Sequence, residues 1–125
     1  MSNNRLIFIV EDDDVYANLL TDHLTSDPRN TVMCYGDGDD CLKNIYNNPD
    51  VVILDYHLSL KKGADDGLQI LQKIKKESPQ TKVVMLSGQE HYGLALQTIS
   101  KGAEQYVVKD KDAFGNIDRI IQSLS

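Results

Sequence analysis

Asp50-Val51-Val52-Ile53-Leu54-Asp55 is the stretch that most restricts how this chain can fold. Four consecutive apolar residues, three of them β-branched, leave no polar face for solvent. Such a run is the pattern of a strand covered on both faces in a parallel sheet. It ends on a carboxylate, and a segment rich in Gly, Lys and Asp follows at once. Open α/β sheets hold their ligands in the crevice outside the strand C-termini. Asp55 is therefore the first candidate for the group that does the chemistry.

The rest of the chain repeats this grammar. Leu6–Val10 is a second apolar run, stopping on Glu11-Asp12-Asp13. Thr31–Tyr35 reads as a short strand, Lys82–Ser87 as a buried one ending on a hydroxyl, and Glu104–Lys109 as one ending on a cation. Helical periods separate them. The first runs from Asp14 to about Ser26 with Val15, Leu19, Leu20 and Leu24 apolar, and Asp13 or Asp14 is its N-cap. Others cover Asp39–Asn47 (Cys41, Leu42 and Ile45 inward), Gly67–Ser78, Glu90–Lys101 and Ala113–Leu124. Gly102 supplies a left-handed stop to the fourth. Five strands alternating with five helices predict right-handed crossovers and a doubly wound parallel sheet, α/β in class, as one domain over residues 1–125. The loop Tyr56–Asp66, with Lys61-Lys62-Gly63, is long for a strand-to-helix connection, usually about 2–6 residues.

Charge and composition exclude several classes. A net charge of −6 argues against a nucleic-acid surface, which needs a basic patch. Cys34 and Cys41 have neither metal-ligand nor redox-motif spacing and read as reduced structural residues. No apolar run approaches the roughly 18 residues of a membrane span, and the polar start Met1–Asn4 is no signal peptide. A cytoplasmic protein is expected. His23 and His91 read as surface residues of helices.

All C-termini of a parallel sheet share one edge, so Glu11, Asp12, Asp55, Ser87 and Lys109 are expected to converge there. Carboxylates crowded at one lip repel, and raised pKa values or a bound cation must relieve that. An all-oxygen cluster suits a hard divalent ion, Mg²⁺ or Mn²⁺. Lys109 can hold a phosphate oxygen and Ser87 can donate a hydrogen bond. Nucleophile, metal and donors together are what phosphoryl transfer to a carboxylate needs. A lone Asp after a strand is ordinarily a turn former or cap, and a lone Lys a solvated one. Four complementary groups at successive strand ends are hard to ascribe to turn chemistry alone.

These residues resemble a known family, the CheY-like receiver domains of two-component response regulators, over essentially the whole chain. The resemblance rests on Leu6–Val10 with Glu11-Asp12, Val52-Ile53-Leu54-Asp55, Asp66-Gly67, Val84-Met85-Leu86-Ser87-Gly88, and Gly102-Ala103 with Tyr106-Val107-Val108-Lys109. It implies that Asp55 is the phosphoacceptor. It also implies that Asp12 ligates the metal directly, Glu11 through water, and His57 through its backbone carbonyl. Ser87 and Lys109 would bind phosphoryl oxygens, and Tyr106 would move inward when Ser87 is drawn to the phosphate. The implied donor is a phosphohistidine on a sensor kinase or histidine-phosphotransfer protein. The implied output face, formed by the fourth helix, fifth strand and fifth helix, would meet a downstream effector and leaves homodimerisation open. His57 and Gln89, two after Asp55 and Ser87, are candidates for tuning the phosphate's lifetime.

Three departures stand out. Ser59 occupies a position that is usually Pro in the family. Asp55 lies twelve residues before Gly67, longer than the family's common spacing. Lys109 precedes Asp110 where the family has a proline after a cis bond, and a non-proline cis bond costs about 2.5–4 kcal/mol. Two rival readings are a haloacid-dehalogenase-like phosphatase, with Asp12-Asp13-Asp14-Val15 as its nucleophile motif, and a receiver-like interaction module that is never phosphorylated. The second would have no use for the five-residue set.

Overall fold

In the computed structural model, which describes residues 4–57 and 66–124, the apolar runs lie side by side and parallel. The strands are β1 (Arg5–Val10), β2 (Asn30–Tyr35), β3 (Val51–Asp55), β4 (Lys82–Ser87) and β5 (Gln105–Val108), in the order β2-β1-β3-β4-β5. The helices between them are α1 (Asp14–Thr25), α2 (Gly38–Lys43), α3 (Gly67–Glu77), α4 (Tyr92–Ser100) and α5 (Ala113–Leu124). Ser59 and the Lys61-Lys62-Gly63 segment lie outside the described residues.

The unbroken apolar runs feed two cores at once, because successive strand side chains point to opposite faces. Phe8, Val10, Val52, Leu54, Val83 and Met85 pack against Ile70, Leu71 and Ile74 of α3. Ile7, Ile9, Val51, Ile53, Val84 and Leu86 pack against Leu20 and Leu24 of α1 and Ile117 and Ile121 of α5. The central strand β3 is buried along its whole length. β2, on the sheet edge, is exposed at Thr31, Met33 and Cys34.

Some helices differ from their predicted form. The helix expected over 39–47 ends at Lys43 and continues as a 3₁₀ turn, Ile45–Asn47, closed by Asn48 in the left-handed conformation at φ 56°. Cys41 and Ile45 are buried, as the pattern indicated. In α1 the cap is Asp13, whose carboxylate accepts the Val15 and Tyr16 N–H groups. That phase buries Ala17, Leu20 and Leu24 and turns Val15 and Leu19 outward, 69% and 55% exposed. The apolar residues of α1 therefore form two stripes, and only one faces the core. α4 starts later than expected because the exposed His91 is its cap, with Nδ1 accepting from Leu94 N–H. His23 is no bystander: its Nε2 lies 2.6 Å from Asp118 Oδ2, joining α1 to α5.

Gly67 places α3 against the edge where β3 ends. Asp66 caps α3 in a reciprocal box with Gln69, and Gly67 N–H donates to the Tyr56 carbonyl at 3.1 Å. A Cβ here would stand 2.7 Å from the Asp55 carbonyl oxygen and the Tyr56 Cα. Gly67→Ala forces backbone apart rather than a side chain aside. The expected cost is about 1–3 kcal/mol, read as a lower denaturant midpoint with unchanged slope.

Candidate functional site at the strand C-termini

The strand register brings the site together. Val10 pairs with Leu54, so Glu11 follows beside Asp55. Asp55 pairs with Leu86, next to Ser87, and Ser87 pairs with Val108, next to Lys109. Four residues far apart in the chain thus meet at one lip.

Glu11 and Asp55 are each 2% exposed and Ser87 is fully buried, whereas Asp12 faces solvent. Ligand oxygens of Glu11, Asp12 and Asp55 lie within 4.8 Å of one another. The acidic run is divided by role: Glu11 turns inward, Asp12 outward to the lip, and Asp13 caps α1. Glu11 is held in place by the Asp13 N–H, which donates to Oε1 at 3.2 Å. The His57 N–H donates to Asp55 Oδ1 at 3.1 Å. Lys109 Nζ reaches Glu11 Oε2 at 2.6 Å and Asp55 Oδ1 at 3.5 Å. It does so with a trans Lys109–Asp110 bond, and with its own N–H donating to the Ser87 carbonyl at 2.7 Å.

Burial pushes the Asp55 carboxyl well above the usual carboxylate range, the Glu11 charge adds to this, and Lys109 opposes it. Burial alone would lower the Lys109 ammonium, but its hydrogen bond to Glu11 and the Asp55 charge raise it overall. Glu11 and Asp55 thus share one lysine, and the oxygens of Glu11, Asp12 and Asp55 fit a hard divalent cation. A stability prediction follows. The folded state holds the Asp55 proton at pH values where the unfolded chain has released it, so the folded state binds more protons. Without divalent ions, the Asp55 contribution to stability therefore falls as pH rises from the ordinary carboxylate range through the raised folded value. A Mg²⁺ ion held by these oxygens would remove that deficit by pairing with the ionised form. At ten times its dissociation constant Mg²⁺ adds about 1.4 kcal/mol, and the rise in melting temperature is expected to be larger at pH 8 than at pH 5. An equal rise at both would contradict this placement of the metal.

The remaining candidates surround this centre. Gln89, exposed, donates its N–H to Ser87 Oγ at 3.2 Å, and its carbonyl accepts from the Tyr106 hydroxyl at 2.7 Å. Ser87 and half-buried Tyr106 are thereby tied to one backbone unit. The exposed His57 ring packs edge-on to Tyr56 at 5.0 Å. Sequence reasoning missed Tyr16, half-buried on α1, whose ring centroid lies 4.7 Å from Lys109 Nζ. The signal was its place four residues after Asp12, one helical turn from the lip. A cavity of about 580 Å³ is at the opposite strand ends, lined by Arg5, Asp50 and Lys82 among others. Its cations are already paired, Arg5 with Asp27 and Lys82 with Glu104.

Comparison with known proteins gives a consistent picture. The family described as the response regulator receiver domain matches residues 7–122. The chemotaxis protein CheY of Listeria monocytogenes is 34% identical over 76 residues, covering 61% of this chain and 57% of that protein. The nitrogen assimilation regulatory protein NtrX of Azorhizobium caulinodans is 31% identical over 116 residues, covering 92% of this chain but 24% of NtrX. The chain thus spans less than two-thirds of these relatives. Among solved structures, the receiver domain of the Francisella response regulator 1452 superposes with a TM-score of 0.84 at 20% identity, over 97% of this chain and 96% of that one. That likeness shows the fold.

Proposed function

The chain belongs to the response regulator receiver domain family, and from that premise we propose that Asp55 accepts a phosphoryl group from a phosphohistidine. The donor is a sensor histidine kinase or a histidine-phosphotransfer protein. The observation that carries this reading is the buried Asp55 carboxyl beside Glu11, with the Lys109 ammonium bridging both. An Asp55 oxygen attacks phosphorus, the phosphorus–nitrogen bond breaks, and the imidazole nitrogen takes the electron pair. Asp55 must be ionised to attack, and Lys109 favours that form. Ser87 and Lys109 then face the phosphoryl oxygens, stabilising charge that grows during transfer. Asp12, Asp55 and, through water, Glu11 would hold Mg²⁺ (or Mn²⁺) with the His57 carbonyl, and the ion would neutralise charge on the transferring group.

The readout begins at the Gln89 backbone. Drawing Ser87 Oγ toward a phosphoryl oxygen competes with its bond from Gln89 N–H, the same residue whose carbonyl holds Tyr106. Loss of that restraint biases a two-state equilibrium of the α4–β5–α5 face. α4 presents exposed Tyr92, Leu96 and Ile99 there, a surface suited to a downstream effector or a second copy of this chain. His57 and Gln89 flank the acceptor and tune access of the hydrolytic water. The receiver unit occupies residues 1–125, and such signalling places it in the cytoplasm, away from membrane and nucleic acid. Among the described residues no helix is long and apolar enough to cross a membrane. Incubation with Mg²⁺ and acetyl phosphate, followed by intact mass, tests the proposal: one added phosphoryl group is expected. Absence of both that adduct and Mg²⁺-dependent beryllofluoride binding would leave an unphosphorylated interaction module.

A further inference from the structure

We infer that Tyr16 is the positioning residue for Lys109: its ring is the platform that holds the ammonium between Glu11 and Asp55. The inference rests on the phosphoacceptor reading for its consequence in transfer, but not for its geometry. A lysine at a strand end has four methylenes of rotamer freedom, and something must restrict them. The proline that could stiffen the following residue is absent here, Asp110 standing in its place on a trans bond. Lys109 Nζ instead lies over the face of Tyr16 at 4.7 Å from the centroid, within the roughly 6 Å at which a ring quadrupole attracts a cation.

The ring is fixed from both sides. Asp13 caps α1 through the Tyr16 N–H, setting the helix phase. Phe114 of α5 meets Tyr16 edge-on at 5.7 Å and 77°, and Phe114 in turn lies against His23, which pairs with Asp118. The α1–α5 seam thus terminates in the platform. The Tyr16 hydroxyl is buried without a hydrogen-bond partner among the described residues. Burial also raises the phenol above its ordinary range, the Lys109 charge opposing this and the Glu11, Asp110 and Asp55 charges adding to it.

Tyr16→Met fills the space without a ring, and Tyr16→Phe keeps the ring without the hydroxyl. The full chain of each is labelled with acetyl phosphate and Mg²⁺, with Lys109 side-chain resonances followed by NMR. Tyr16→Met is expected to slow labelling about two- to thirtyfold, with unchanged Mg²⁺ affinity and loss of the ring-current shift at the Lys109 ε-methylene. Tyr16→Phe is expected to restore rate and shift together. Wild-type labelling in Tyr16→Met, or a Tyr16→Phe as slow as Tyr16→Met, would overturn the proposal. The phosphoacceptor reading fails differently, by an unlabelled wild type, and in that case the ring-current shift alone decides whether Tyr16 holds Lys109.

Discussion

Asp55→Asn is expected to abolish phosphoryl uptake altogether while leaving the protein folded and more heat-stable than wild type when Mg²⁺ is absent. The amide cannot form the acyl phosphate, so intact mass after acetyl phosphate treatment stays unchanged. Stability moves the other way because of where Asp55 sits. Its carboxyl is buried, and the Glu11 charge beside it adds to the cost of ionising it. Asn removes that repulsion and keeps an acceptor for the His57 N–H, for a gain on the order of 1 kcal/mol near neutral pH. The Mg²⁺-induced rise in melting temperature is expected to shrink, since the proposed site loses one of its carboxylates. Asp12→Asn separates the readings further. In a receiver it weakens metal binding and slows labelling without moving the acceptor. If Asp55→Asn remained phosphorylated and Asp12→Asn did not, the nucleophile would be Asp12 and the chemistry that of a haloacid-dehalogenase-like phosphatase.

The polar strand ends were legible because parallel topology needs few assumptions. Once the runs at Leu6–Val10, Val51–Leu54, Lys82–Leu86 and Tyr106–Val108 are strands of one parallel sheet, the residue after each must lie on a common edge. What was not legible depends on helix phase. Val15, Leu19, Leu20 and Leu24 share one apolar period, yet the fold buries Leu20 and Leu24 together with Ala17 and leaves Val15 and Leu19 exposed. The same phase carries Tyr16 to Lys109 and His23 to Asp118, contacts between segments with no sequence signal linking them. After the break at Lys43, Asn48 turns left-handed and the chain runs on to Asp50, just before β3, whose Oδ2 accepts the Leu6 N–H. Propensity alone cannot report such a contact.

Lys109→Met separates the two functions that one ammonium serves. As the proposed donor to the phosphoryl oxygens, it would act where charge develops, and loss of one such donor is expected to slow reaction about 10²–10³-fold. The labelling rate with acetyl phosphate at saturating Mg²⁺ is the measurement. As a cation bound to Glu11 and Asp55, however, Lys109 would also compete with a metal ion proposed to use the same oxygens. Its removal leaves the carboxylates less neutralised, so Mg²⁺ is expected to bind at least as tightly as in wild type although transfer is slower. Without Mg²⁺ the variant should lose stability as pH rises, since Asp55 then has only the His57 N–H to favour its ionised form. The folded pKa of Asp55 rises further in the variant, the folded state holds its proton longer, and the penalty extends to higher pH. A variant that lost metal affinity and transfer together would mean that Lys109 organises the pocket as a whole. Slower transfer with retained or tightened Mg²⁺ binding would assign it to the phosphoryl group.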